Sequence, residues 1–376
     1  MTGIIGASRG LDFNLSDDLD MLNKKVGLNT GNLVFQYATG KIIKGDVFDV
    51  GINTTWNPRE IRERCDKIVF PCANFINPDT DFDNLANYLI SLKLPVVALG
   101  LGAQSIDYNT DSIPLKKGTE KLIRFLAESS EVIGVRGEYT GKILDSMGIH
   151  NHLVTGCPSN LITPTKELEE SFKHKLGQPI ERITVNGHNP WAQDEKVKQI
   201  ESLLFKLAVE NRGDYLAQSH DPLLRLASGH RFCDHQQWES DLKSLYHASG
   251  LDIGIPSFSE FVRKRFYFDI QVPAWLNRSS FYDFSIGLRL HGNMVAFQAG
   301  TPTMWITHDS RTSELVDFMQ LPKISYEELV QIEQIETLKE VFAGQLAPYF
   351  EKRTEIEHSV NRFLATNNLE SALSPT

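Results

Sequence analysis

Ser285-Ile-Gly-Leu-Arg-Leu-His-Gly-Asn-Met-Val-Ala-Phe-Gln-Ala-Gly-Thr-Pro-Thr-Met-Trp-Ile-Thr-His-Asp-Ser-Arg311 decides the fold. It reads as strand, tight turn, helix, strand and loop. A short apolar strand runs into Arg289 and His291. Gly292 follows without a side chain, and Asn293 opens a helix that ends at Gly300. The strand Thr303 to Thr307 then leads to a second basic residue, Arg311. In a parallel α/β sheet both junctions lie at the carboxyl ends of strands, where ligands bind. Two arginines and a histidine at such an edge point to an anionic ligand and to proton transfer. The backbone N–H groups of a helix start favour an anion, and a histidine can donate, accept or carry a proton near neutral pH. Each residue also has a plain structural reading. His291 can cap the helix, and Arg289 can pair with a carboxylate. Asp309 or Ser310 can cap a helix starting near Thr312. Arg311 would then sit in a first helical turn, where a cation is mildly unfavourable. A bound anion offsets that, and so does full solvation.

Outward from this stretch, strands and helices alternate, which predicts an α/β fold with parallel sheets. Lys67-Ile-Val-Phe-Pro71, Pro95-Val-Val-Ala-Leu99, Glu131-Val-Ile-Gly-Val135 and Leu153-Val-Thr-Gly read as buried strands. Helices are expected near Phe82 to Leu92, Glu120 to Glu128 and Glu138 to Met147, the first with Leu85, Tyr88, Leu89 and Leu92 at helical spacing. A polar helix and linker over about 161–181 closes this half. Arg182-Ile-Thr-Val-Asn-Gly187 opens a second unit, with a helix near 195–210 and the strand Tyr215 to Gln218. The segment 220–257 has no clear assignment. Tyr326 to Phe342 and Pro348 to Ala365 read as helices, the latter with Ile356, Val360, Phe363 and Leu364 on one face. The last few residues read as disordered. The division is therefore an N-terminal α/β domain over 1–175, a C-terminal one over 176–345, and a helix and tail over 346–376.

With 376 residues the chain can bury two separate cores. A formal net charge of −10 argues against bulk nucleic-acid binding, which needs a basic face. It leaves room for a local arginine cluster around one small anion. No apolar run approaches the roughly 20 residues that cross a bilayer, and no secretory leader pattern opens the sequence. The four cysteines have no paired spacing, which fits a reducing cytosol, so a cytoplasmic location is expected.

Other candidates sit in the N-terminal half. Gly27-Leu-Asn-Thr-Gly-Asn32 precedes an apolar run and reads as a loop feeding a helix. Asn29 and Asn32 could offer amides to hydroxyl or phosphate oxygens, or simply form an Asn/Gly turn and cap. Arg136 follows a strand and should lie at the carboxyl edge, free for a ligand or paired with Glu131 or Glu138. Gly100-Leu-Gly-Ala-Gln104 lacks the third glycine of a dinucleotide fingerprint and the Lys-Ser/Thr of a P-loop, so it reads as a turn. Gln104, at the same edge, joins the substrate-binding candidates. His230, Cys233 and His235 are the nearest approach to a metal set and lack a fourth ligand, so no metal is expected. Arg263-Lys-Arg265 beside Phe266-Tyr-Phe268 could touch an anionic membrane surface or a lipid diphosphate, or be a solvated helix end.

Together these segments resemble the polysaccharide pyruvyl transferase family. The resemblance rests on Asn29-Thr-Gly-Asn32, Gly134-Val-Arg136, Thr155-Gly-Cys-Pro158, Gly287-Leu-Arg-Leu-His-Gly292, Gly300-Thr-Pro302 and Asp309-Ser-Arg311. It implies two Rossmann-like domains facing across a cleft, as in GT-B glycosyltransferases. It also implies phosphoenolpyruvate as the donor substrate, with no separate cofactor. The acceptor would be a sugar diol of a polysaccharide or lipid-linked oligosaccharide, and the products a pyruvate ketal and phosphate. Peripheral contact with the inner membrane surface would fit a lipid-linked acceptor. By motif position, His291, Arg136 and Arg311 are the catalytic candidates. Asn29, Asn32, Arg289, Gly292 and Gln104 are the substrate-binding candidates. Three positions depart from the family pattern: Asn32 and Cys157 stand where aspartate is usual, and Arg311 where lysine is usual. Arginine keeps the charge but does not give up a proton. The rival readings are a GT-B glycosyltransferase using a nucleotide sugar and a non-catalytic family member that binds a sugar.

Overall fold

The computed structural model describes residues 1–7, 11, 17–51, 57–104, 112–307 and 310–373, without the side chains of 310–313. Its strands are β1 (Thr2–Ile4), β2 (Val47–Asp49), β3 (Lys67–Pro71), β4 (Val96–Leu99), β5 (Ile133–Val135), β6 (His152–Val154), β7 (Ile183–Asn186), β8 (Asp214–Leu216), β9 (Phe266–Tyr267), β10 (Phe284–Gly287), β11 (Thr303–Thr307) and β12 (Lys323–Ser325). In the first half the helices are α1 (Leu19–Val26), α2 (Asn32–Ile42), α3 (Pro58–Arg64), α4 (Asp83–Leu92), α5 (Lys117–Ser129), α6 (Glu138–Ser146) and α7 (Thr165–Leu176). Then come α8 (Glu195–Glu210), α9 (Asp221–Ala227), α10 (His235–Ser249), α11 (Ile255–Arg265), α12 (Val272–Ser279), α13 (Leu290–Gln298), α14 (Ser310–Phe318), α15 (Tyr326–Leu329), α16 (Thr337–Gly344) and α17 (Leu346–Thr366).

Two parallel sheets result. The N-terminal sheet runs β2-β1-β3-β4. A parallel bridge between Leu101 and Val135 links it to the pair β5-β6. The C-terminal sheet runs β12-β11-β10-β7-β8-β9, all parallel. The order reverses between β7 and β10, and a crevice opens at the carboxyl ends of strands at such a reversal. The fold is α/β, with two Rossmann-like domains packed against one another.

Helices α2 and α13 lie at the junction. Seven residues of α2, from Leu33 to Ile42, and all seven from Gly292 to Gln298 in α13 are buried. A helix buried all round has no solvent face to set its orientation, so packing from both domains fixes it. One continuous apolar core accordingly joins Leu22, Leu33 and Phe35 to Val185, Phe297 and Trp305, while a second fills the far side of the N-terminal sheet. The division expected at 175/176 falls at the end of α7. The C-terminal helix α17 returns to the N-terminal domain. Buried Arg353 donates to the carbonyls of Asn160 and Thr163, to Thr165 Oγ1 and to the Tyr349 hydroxyl. Asn367, just beyond α17, donates to Val132 O, and Ser371 bridges Ile43.

Three expectations change. The unassigned segment 220–257 holds α9, α10 and the start of α11, which open on proline, aspartate or glycine signals rather than on a long periodic face. The helix expected over Tyr326 to Phe342 is broken into α15 and α16. The basic run 263–265 is partnered within its own domain. Arg263 lies 4.0 Å over the Trp238 ring, Lys264 pairs with Glu260 and Arg265 with buried Asp214, while Phe266 and Tyr267 are buried as β9. No helix among the described residues is long and apolar enough to cross a membrane.

Candidate active site

The C-terminal side of the domain junction is built by three strand ends. Arg289 leaves β10 in an extended conformation and becomes the N-cap of α13, so the helix starts at Leu290, earlier than the sequence predicts. Its Nη2 donates across the β7–β10 crevice to the His188 carbonyl and to Ser219 Oγ, beyond β8. Its Nε and Nη1 have no partner among the described residues. Burial lowers its affinity for a proton, and the Glu201 carboxylate opposes that effect. Glu201 is fully buried on α8 and accepts from the backbone N–H groups of His188 and Asn189 and from the Tyr215 hydroxyl. Burial pushes its carboxyl up to about 7.

At the N-terminal edge, Arg136 is 6% exposed and fully engaged. Its Nε donates to Gly100 O at 2.9 Å, Nη1 to Asn74 Oδ1 at 2.9 Å and Nη2 to Cys72 O at 3.0 Å. It ties together the chain as it leaves β3, β4 and β5. Its side-chain partners are these three oxygens, and the pairing with Glu131 or Glu138 allowed by the sequence is not the one the fold uses.

The two edges meet at Phe35 on α2. The Arg136 guanidinium lies 5.6 Å from that ring's centre and the His291 imidazole 5.3 Å. His291, in the first turn of α13, has Nε2 3.5 Å from Cys157 Sγ of the N-terminal domain. Burial and the neighbouring Arg136 charge push its imidazole down to about 3, so it is neutral at physiological pH. A carboxylate at position 157 would oppose that effect; the thiol present does not. Thr30 N donates to Gln218 O across the junction at 2.9 Å. Gly31 packs against Gln218, Asn29 and His291, and Gly292 against Asn186 Oδ1 and Gln218 Nε2, with no room for a Cβ at Gly292. Thr30 Oγ1, Asn186 Oδ1 and Gln218 Nε2 are buried here without a hydrogen-bond partner among the described residues.

Of the predicted site residues, Arg136, Arg289, His291, Gly292 and Asn29 gather around this junction. Asn29 Oδ1 accepts from Gly31 N in a tight turn. Asn32 ties the neighbouring helix end. Its Nδ2 donates to the carbonyls of Val26 and Gly27 and closes α1. Gln104 is half-buried, and its backbone N–H donates to Ile76 O. Arg311 falls in the first turn of α14, but its side chain lies outside the described ones, as do His308 and Asp309. Among the described residues no group of three His, Cys, Asp or Glu side chains could hold a metal.

Sequence reasoning missed two features. Glu314, on α14, reaches the start of α6 in the other domain, where the backbone N–H groups of Tyr139 and Thr140 favour its carboxylate. Its Oε1 is buried without a hydrogen-bond partner among the described residues, and burial raises its carboxyl above the usual range. No motif marks a carboxylate that acts across a domain boundary. The second is His220, whose backbone φ of +68° is unusual for a residue with a Cβ. Its signal was its position two residues past the strand ending in Gln218.

Two arginines and a histidine thus gather at strand ends where two Rossmann-like domains meet, an arrangement suited to an anionic ligand. A family model described as polysaccharide pyruvyl transferase matches residues 29–310, well over half of the chain. The chain belongs to the polysaccharide pyruvyl transferase family, a family of transferases. No curated relative matches the sequence. Similar solved structures include a co-structure of S. aureus MnaA with UDP, at 12% identity and a TM-score of 0.44 over 100% of this chain and 99% of that one. A putative UDP-N-acetylglucosamine 2-epimerase from Listeria monocytogenes has 11% identity and a TM-score of 0.45 over 99% of each chain. The wall teichoic acid polymerase TagF has 12% identity and a TM-score of 0.41 over 98% of this chain and 88% of that one. Scores at this level say nothing about activity.

Proposed function

We propose that this protein transfers the enolpyruvyl group of phosphoenolpyruvate to two hydroxyls of a sugar, forming a pyruvate ketal and releasing phosphate. The observation that carries the reading is the meeting of Arg136 and His291, from opposite domains, at one aromatic ring. The donor carries a carboxylate and a phosphate, which suit charge-assisted hydrogen bonds from Arg289 and Arg311. Arg136 shapes the pocket and adds its positive field. The ligand-free His291 is neutral. The donor's negative charge opposes the Arg136 effect and favours the imidazolium, which ties protonation to donor binding.

His291 then delivers a proton to the methylene carbon, and C2 becomes oxocarbenium-like. A sugar hydroxyl adds to C2 and its proton passes to Glu314, whose raised affinity for a proton suits a general base. The bond from C2 to the bridging oxygen breaks as phosphate leaves, and the second hydroxyl closes the ketal. One hydroxyl proton replaces the proton delivered to carbon; the other leaves with phosphate. The test is phosphate release from phosphoenolpyruvate in the presence of candidate glycans. Full activity in His291→Ala removes the histidine from the scheme. Thermal stabilisation by UDP or GDP, but not by phosphoenolpyruvate, favours a nucleotide-sugar glycosyltransferase instead.

A further inference from the structure

The hydrogen bonds around Arg289 fix the chemistry of a residue that no motif marks. A guanidinium only donates, so Ser219 Oγ must accept from Arg289 Nη2. The Ser219 hydroxyl hydrogen is then free to point at His220 Nδ1, 2.8 Å away. With the hydroxyl so turned, Nδ1 accepts and the neutral ring carries its proton on Nε2. Burial and the Arg289 charge both lower the His220 imidazole's affinity for a proton, with Asp221 and a hydrogen bond to the Ser219 backbone acting in the opposite sense. His220 Nε2–H has no partner among the described residues, and neither have Arg289 Nε and Nη1.

Three further observations converge on the same crevice. His220 holds a φ of +68° and a ψ of 112°. A residue with a Cβ persists in such a conformation only where its surroundings over-determine it, and such residues cluster at binding sites. The first turn of α13 starts at Arg289, so its unpaired N–H groups belong to the same edge. Asn186 Oδ1 and Gln218 Nε2, both almost fully buried, lie against Gly292 in that turn without hydrogen-bond partners among the described residues.

We propose that Arg289, Ser219 and His220 form an oxyanion seat at the β7–β10 crevice, in which His220 Nε2–H and the free edge of the Arg289 guanidinium bind the phosphate group of the donor. The seat deepens the pyruvyl transfer reading by assigning the phosphate to the C-terminal domain, and for the identity of the donor it rests on that reading. His220 is a binding residue here, and Ser219 is a positioning residue that sets the ring's tautomer.

The experiment is calorimetric titration of the full chain with two probes, inorganic phosphate and phosphoenolpyruvate. His220→Gly removes the imidazole and the Cβ that makes a positive φ unfavourable, so the variant should unfold at no lower temperature than the wild type. Its affinity for both probes should fall about tenfold or more, the loss of one or two charge-assisted hydrogen bonds. His220→Gln, which returns an N–H donor on a side chain of similar reach, should recover part of that affinity. Ser219→Ala frees the ring to take the other tautomer and should weaken binding by a few-fold. Affinities unchanged in His220→Gly overturn the seat, as does a wild type that binds neither probe. Phosphate binding that weakens in His220→Gly, with no binding of phosphoenolpyruvate to any form, supports the seat and overturns the donor. Phosphoenolpyruvate binding that is indifferent to His220→Gly keeps the donor and overturns the seat.

Discussion

Arg136 and Arg289 occupy corresponding places, each just past a strand of its own sheet, yet they do different work. Every nitrogen of Arg136 already donates to a neighbour in its own domain, where it holds the loops after β3, β4 and β5 together. Arg289 uses one nitrogen to hold β7 and β8, and presents the other two without partners among the described residues. An engaged guanidinium contributes shape and field; a half-free one can still bind. Under the proposed function, the N-terminal edge shapes the pocket and the C-terminal edge captures the ligand.

The sharpest way to break this contrast is to remove the histidine between the two arginines. His291→Ala should lower phosphate release by about 10²–10⁴, the usual worth of a positioned acid, with the change in kcat rather than in donor affinity. Steady-state kinetics with phosphoenolpyruvate separates the two. Arg136→Ala should destabilise the fold by on the order of 3–5 kcal/mol, because three buried acceptors lose a charged donor. Arg289→Ala should weaken donor binding with a smaller loss of stability. Denaturant unfolding and calorimetry on the same two variants test the pair, and equal stability losses would erase the distinction.

Gly292→Ala brings a Cβ into the space of Asn186 and Gln218 and should destabilise by about 1–3 kcal/mol, read as a lower unfolding midpoint. Acid stability follows from His291. Folding depresses its imidazole from the ordinary value of 6.5 to about 3, so between those limits the unfolded chain takes up the proton more readily. Stability should therefore fall as pH drops from about 6.5 towards 3. Cys157→Asp puts a carboxylate beside the imidazole and should raise its titration midpoint, observable by NMR. The smallest effect is expected at Asn32→Ala. It should cost about 1 kcal/mol through the closure of α1 and leave binding of phosphoenolpyruvate unchanged.

The two kinds of residue also differ in how readily the sequence disclosed them. The run from Ser285 to Thr307 announced its strand, helix and strand because apolar residues follow the right periods and glycines mark the ends. The helices α8 and α17 were legible for the same reason. Segment 220–257 was opaque because its short helices carry little periodicity and stand on caps. The close spacing of Arg289, His291 and Gly292 drew attention to the C-terminal edge, while Asn32 shared a motif with Asn29 but serves α1. Glu314 and His220 left no motif: one acts across the domain boundary, and the other owes its character to the neighbouring Ser219 and Arg289.

By itself the amino-acid order determined the alternation of elements, the parallel sheets and the set of basic residues at strand ends, because periodicity and turn chemistry are local. It also carried the family motifs. Only the tertiary structure decided which arginine is engaged and which is half-free. The same holds for the thiol that faces His291 and for the Ser219 hydroxyl that meets His220 Nδ1. Hydrogen-bond partners of a buried side chain come from segments far apart in the chain, and no local pattern records them.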